Sequence, residues 1–169
     1  MFSLLLYPVR QLFGAVLANE SPRQVAWGFT LGMMLGMVPK GNLIALVLGM
    51  LLCALRVNKP AGLLAVAMFS AVSPLCDGLT HKIGYKLLHQ PALQDFYAWL
   101  YDQPLGPFIG FHNTVTIGSL LLALYISYPC YYGAQQAFTK FGPPLGRWIV
   151  RYRLGRALAG AQFAARLQG

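Results

Sequence analysis

The chain has 169 residues, 57% hydrophobic and only 10% charged, with 13 Lys and Arg against 4 Asp and Glu for a formal net charge of +9. So little charge cannot clothe a soluble globule of this size, and the composition reads as an integral membrane protein. The cations lie beside apolar segments, where anionic headgroups attract them. No RNA-binding motif or basic repeat accompanies them, so no nucleic-acid partner is expected.

In chain order, Val9, Leu12, Phe13, Val16 and Leu17 fall on one helical stripe, which predicts an interfacial amphipathic helix over residues 1–20. No Lys or Arg precedes the apolar cluster Phe2 to Tyr7, and no small-residue cleavage site follows it, so a cleaved signal peptide is not expected. Ser21-Pro22-Arg23-Gln24 then carries the signature of a capped helix start, with Ser21 as cap and Gln24 completing a capping box. The run from Gln24 to Leu55 contains a single charge, Lys40. As one straight helix it would be about 48 Å long, well beyond a hydrocarbon layer of about 30 Å. A break is therefore required, and Pro39-Lys40-Gly41-Asn42 supplies the residues for it. Before the break, Gly28, Gly32 and Gly36 recur every fourth residue and form a seam on which another helix can pack closely.

A second short helix is expected from Leu43 to Leu55, closed by Arg56-Val57-Asn58-Lys59-Pro60. A third apolar segment, Ala61 to Val72, is expected to end in a polar break at Ser73-Pro74-Leu75-Cys76-Asp77-Gly78. The recurrence of a proline-tipped apolar segment suggests a duplicated hairpin, so residues 21–88 read as a paired-hairpin membrane domain. Residues 89–104 continue a stretch that mixes Tyr, Phe and Trp with Lys and Asp and suits the membrane interface. Residues 105–132 hold a transmembrane helix, with Ile109 to Tyr128 long enough to span. Residues 133–169 form a basic cytoplasmic tail, in which Gly142-Pro143-Pro144 is expected to interrupt the helix. The predicted fold class is thus an all-α integral membrane protein of short Pro/Gly-broken helical hairpins, one long transmembrane helix and interfacial amphipathic helices.

If segments 24–38, 42–55, 60–76 and 107–129 all cross, the cytoplasmic side holds Arg10, Arg23, Arg56, Lys59, Lys140, Arg147, Arg151, Arg153, Arg156 and Arg166. Only Lys40, Lys82 and Lys86 fall outside. This matches the positive-inside rule with both termini in the cytoplasm. The first two segments are short for a crossing, at about 22 Å each, so re-entrant hairpin arms are the competing arrangement.

The run SPRQVAWGFTLGMMLGMVPKGN, followed by LLCALRVNKPAGLLAVAMFSAVSPLCDGLTHKIGYKLL, resembles the bacterial membrane family catalogued as domain of unknown function 2062. The matching positions are Ser21, Pro22, Gly28, Gly32, Pro39, Gly41, Arg56, Asn58 and Pro74 within residues 20–88, and the remainder resembles a short-chain subgroup. Ser73 stands where the family pattern has Asn before the second proline. The resemblance implies a small, multi-pass inner-membrane protein and no transferable activity.

His81, His89 and His112 are too far apart in sequence to pair on one helical turn, and no Cys-x-x-Cys or His-Glu cluster accompanies them, so no metal site, cofactor or catalytic residue is assigned. Cys53, Cys76 and Cys130 read as small buried hydrophobes. Ser73, Asp77 and His81 share a helical spacing that Pro74 is expected to interrupt. An ionisable group inside a membrane segment is a functional candidate, but at a segment tip it can also snorkel to the headgroups, and for Lys40 and Asp77 that anchoring role is the favoured reading; Pro39, Lys40, Gly41 and Asn42, with Ser73, Pro74 and Asp77, are the candidates for a lipid or substrate site. The expected function is a non-enzymatic inner-membrane component handling lipid or another amphiphile within a larger complex. Its expected partners are membrane lipids and a membrane or periplasmic protein, and self-association is compatible with this reading. A scaffold without transport activity is the alternative; a lipid-modifying enzyme is the least favoured.

Overall fold

The computed structural model describes residues 21–151, with side chains through 140. The interfacial helix expected over 1–20 and the end of the basic tail lie outside the described residues. The described residues are helical throughout, with no strand: α1 (Pro22–Met37), α2 (Leu43–Ala54), α3 (Lys59–Leu88), α4 (Gln94–Tyr101), α5 (Gly106–Ile109) and α6 (Thr114–Arg151), plus a 3-10 turn at Pro91–Leu93.

α1 starts with Pro22 in its first turn, but the Ser21 side chain makes no capping hydrogen bond. The expected capping box is replaced by backbone contacts, Gln24 N–H donating to the Ser21 carbonyl at 2.9 Å. The helix stops at Val38, which is extended (φ −74, ψ 134) as the residue before a proline prefers. Gly41 takes φ +98, a left-handed value that favours glycine, and the chain reverses into α2.

The glycine seam faces α3. A Cβ on Gly28 would collide with the Asn58 carbonyl, one on Gly32 with the Gly62 carbonyl, and one on Gly36 would lie 2.7 Å from Phe69 Cβ. These pairs advance together, so α1 and α3 run parallel in backbone contact, with α2 as the return arm. Asn58 locks the lower end: it is 1% exposed, its Oδ1 accepts from Ala61 N–H at 2.7 Å, and its own N–H donates to the Gln24 carbonyl at 3.1 Å.

A second small-residue contact joins α3 to α6. A Cβ on Gly84 would meet the Thr114 carbonyl, and one on Gly118 the Thr80 carbonyl. α6 runs antiparallel to both partners, because Ala123 packs with Met33 and Met37 while Tyr131, farther along, lies ring to ring with Trp27 at 5.0 Å.

Two expectations are corrected here. The second proline does not end a segment: Pro74 lies inside α3, which runs unbroken for 30 residues. A proline in a helix interior costs about 3 kcal/mol. α3 is gripped on both sides of it, through Gly62 and Ala65 below and Thr80 and Gly84 above, and that packing overrides the local preference. There is consequently one broken hairpin, not a duplicated pair, and Lys82 and Lys86 belong to the end of α3. Gly142-Pro143-Pro144 likewise does not interrupt α6, which continues to Arg151. Proline's fixed φ is itself close to helical, so the pair removes hydrogen bonds without forcing a turn. The last long helix begins at Thr114, since Gly110 at φ +81 and the Asn113 side chain, accepting from Val115 N–H at 2.9 Å, set its start.

Candidate functional site

The α1–α2 tip comes to rest against the middle of α3. Asn42 shapes it by capping α2, with Oδ1 accepting from Ala45 N–H at 2.8 Å, and by donating from Nδ2 to the Pro39 carbonyl at 3.0 Å. The Lys40 side chain folds back over the end of α1. Its ammonium donates to the Gly36 carbonyl at 2.7 Å and to Ser70 Oγ on α3 at 2.9 Å. Gly36 is among the last residues of α1, where carbonyls lack helical partners and attract a cation. Ser73 fastens the neighbouring position, its hydroxyl donating to the Met37 carbonyl at 2.9 Å.

Of the sequence candidates, Pro39, Lys40, Gly41, Asn42 and Ser73 therefore meet at one place. Pro74 is exposed on the adjoining stretch of α3. Asp77 is exposed one turn farther on, is no partner of Lys40, and uses its backbone carbonyl to accept from Thr80 Oγ1 at 3.1 Å. Because α3 is continuous, Ser73, Asp77 and His81 do share a helix, yet Ser73 and His81 are about 12 Å apart along its axis and turn to different partners. His81 Nδ1 sits 2.6 Å from Thr114 Oγ1 at the α3–α6 contact, and His89 Nδ1 lies 2.9 Å from the Tyr85 carbonyl.

Sequence reasoning passed over Ser70, although it is the hydroxyl that holds Lys40. Its spacing of three residues from Ser73 on an apolar helix was a usable signal. It also passed over Leu105 and Phe108 on and beside α5, which fold back beside the tip. With Leu35, Ala45 and Leu46 they line an open, largely apolar groove of about 620 Å³ that also reaches Lys40, Gly41 and Asn42. An ammonium has three donors, and two of Lys40's are used. One cationic donor thus remains at the head of an apolar groove. A cation beside an apolar groove is chemically complementary to an anionic, chain-bearing molecule.

A second open cavity, of about 580 Å³, lies where α3, α4 and the start of α6 meet, lined by His89, Tyr97, Tyr101, Asp102, Phe111 and His112 among others.

A family model described as "Uncharacterized protein conserved in bacteria (DUF2062)" matches residues 10–142. The match extends past the 20–88 stretch that carries the motifs and takes in most of α6. The chain is also similar to an "Uncharacterized protein" of Treponema pallidum (strain Nichols), 29% identical over 130 residues that cover 77% of this chain and 80% of the relative. No solved structure matches the chain. The motifs from Ser21 to Pro74, the hairpin they build and a match over most of the length lead to one conclusion: the chain belongs to the DUF2062 family of bacterial proteins.

Proposed function

We propose that the protein is a multi-pass component of the bacterial inner membrane that binds and handles an anionic amphiphile without covalent chemistry, as part of a larger complex. The observation that carries this reading is the Lys40 ammonium, tied to Gly36 and Ser70 at the hairpin tip and facing an apolar groove.

Membrane insertion is supported by what the long helices leave uncovered. Two helices, Lys59–Leu88 and Thr114–Lys140, are long and apolar enough to cross, and only 11% and 28% of their most apolar stretches are buried. A core helix of a soluble protein would be mostly covered. Leu46, Met50, Leu63 and Leu75 are exposed around the same body.

The depth of the tip favours a topology between the two weighed from sequence. Arg23, Arg56 and Lys59 cluster at the lower end, where Gly28 meets Asn58. Lys40 contacts Ser70, which lies about 17 Å above Lys59 along α3, short of a hydrocarbon layer of about 30 Å. On this reading α1 and α2 form a re-entrant hairpin from the cytoplasmic side, and α3 and α6 cross fully. α4, with exposed Phe96 and Trp99, rests at the outer interface, and the chain after it dips inward so that Leu105 and Phe108 reach the tip. One re-entrant hairpin and two crossings keep both termini in the cytoplasm, as the charge distribution demands. A lone lysine at such depth is costly unless partnered, and Gly36, Ser70 and a bound headgroup would together satisfy it.

The test uses the full-length chain in vesicles containing anionic or zwitterionic lipid, with Lys40→Arg and Lys40→Gln compared at equal abundance. Retention of anionic lipid through purification, and its translocation, should survive in Lys40→Arg and fall in Lys40→Gln, because a neutral amide cannot replace a charge-assisted contact. Equal behaviour of all three proteins would overturn the reading and leave the scaffold role.

A further inference from the structure

The cavity of about 580 Å³ between the end of α3, α4 and the start of α6 shares no lining residue with the Lys40 groove, and its chemistry is of the opposite sign. Tyr97, Tyr101 and Phe111 present aromatic surface to it. Tyr97 and Phe111 are half-buried, with ring centroids 6.3 Å apart at an interplanar angle of 37°, and Tyr101 lies one turn from Tyr97 on α4. Three rings therefore form adjoining walls. Asp102 follows Tyr101 in the same lining, and no lysine or arginine among the described residues shares it.

The fold leaves the Asp102 carboxylate free: no described residue forms a hydrogen bond or ion pair with it. Asp102 ends α4, its backbone N–H donating to the Ala98 carbonyl at 3.1 Å. The last carbonyls of a helix carry partial negative charge, so this helix end deepens the negative potential around the carboxylate. The donors nearby are engaged elsewhere. Gln94 Nε2 donates to the Leu88 carbonyl at 2.6 Å, the Thr114 hydroxyl lies 2.6 Å from His81 Nδ1, and the Asn113 side chain accepts from Val115 N–H at 2.9 Å. An unpaired carboxylate among aromatic walls is the complement of an organic ammonium, because ring faces attract the cation and the carboxylate accepts its hydrogen bonds.

We propose that this cavity binds the ammonium headgroup of a zwitterionic phospholipid in the outer leaflet of the inner membrane; the proposal rests on the reading that α4 lies at the outer interface. Exposed Phe96 and Trp99 on the same short helix put the cavity mouth at headgroup depth. Lys86 stands three residues before the cavity-lining His89, the spacing of neighbours on one helical face, and offers the phosphate of that headgroup a cation beside the ammonium site. A zwitterionic headgroup uses both charges, whereas a soluble amine uses one.

The test places the full-length protein in phosphatidylglycerol vesicles with Trp99 as its single tryptophan, Trp27 and Trp148 being changed to phenylalanine. Trp99 adjoins the cavity-lining Ala98. A small fraction of acyl-brominated lipid is added as phosphatidylethanolamine, phosphatidylglycerol or N-acetylated phosphatidylethanolamine, and the quenching of Trp99 is compared. Brominated phosphatidylethanolamine should quench about fivefold more effectively per mole fraction than the other two, as an exposed cation–π contact and one screened ion pair together imply. Asp102→Asn and Tyr101→Leu, both at exposed positions, should bring that ratio close to one, and Asp102→Glu should keep it. Equal quenching by all three lipids would overturn the site while leaving α4 at the interface. No quenching by any of them would overturn the interfacial placement and the proposal with it. A preference unchanged in Asp102→Asn and Tyr101→Leu would refute this cavity as its origin. Loss of the preference on adding free ethanolamine at millimolar concentration would assign the cavity to a soluble amine and refute the lipid.

Discussion

Gly32→Ala is the sharpest test of the packing. The added Cβ would be driven into the Gly62 carbonyl and would lie 2.9 Å from Gly62 Cα, so its neighbour is backbone, which no rotamer change can move aside. α1 must then retreat from α3 along the whole seam, loosening Gly28 on Asn58 and stretching the Lys40–Ser70 and Ser73–Met37 hydrogen bonds. Overpacking of this kind costs about 1–3 kcal/mol, and the rigid neighbour argues for the upper value. Alanine recovers about 1 kcal/mol of helix propensity over glycine. The net expectation is a loss of about 2 kcal/mol, or roughly 30-fold in the folding equilibrium. The control is Gly78→Ala in α3, where nothing lies within 4 Å of the new Cβ and the propensity gain stands alone. Reversible unfolding in mixed detergent and SDS micelles gives both values. If Gly32→Ala were as stable as Gly78→Ala, the parallel backbone contact between α1 and α3 would be wrong.

Asn58→Ala should lose about 2 kcal/mol by the same measurement, since it removes the cap of α3 at a buried site; Asn58→Asp should restore part of it. Pro74→Ala should raise the unfolding midpoint by returning a backbone donor to a helix that is already continuous, whereas a proline needed for a turn would make the variant fail. A cysteine at Gly41 should resist an impermeant maleimide applied from the periplasm, while one at Gln103 reacts; equal labelling of both would restore the four-crossing arrangement. Reporter fusions at either terminus should be active in the cytoplasm, and periplasmic activity of the C-terminal fusion would defeat both topologies.

What was legible in the sequence was local. Pro39 and Gly41 end one helix and permit the reversal because their backbone preferences act whatever surrounds them, and the four-residue spacing of Gly28, Gly32 and Gly36 marks a face before its partner is known. Pro74 shows the opposite case. Its chemistry is that of Pro39, but the neighbours of α3 on both sides decide the outcome, and these lie far away in sequence at Gly28, Gly36, Thr114 and Gly118. The candidate site divided in the same way. Lys40 stood out as the lone charge in an apolar run, whereas its partner Ser70 and the groove wall from Leu105 and Phe108 depend on which segments fold back together. Asp77 stood out equally but lies one turn beyond Ser73 and is no partner of Lys40.

The parallel pairing of α1 with α3 also constrains how the protein is made. Gly28 meets Asn58 and Gly32 meets Gly62, so each pair is separated by 30 residues of chain. As the nascent chain emerges, α1 and α2 appear first and cannot close their seam, because the surface that fills it has yet to be synthesised. The hairpin must wait, half assembled, until α3 has been delivered, and α6 must follow before Met33 and Met37 are covered by Ala123. Assembly therefore proceeds in steps as the chain lengthens, the glycine seam closing on α3 before α6 covers the methionines, and a chain stalled after residue 58 would present an open glycine groove to whatever quality-control machinery meets it.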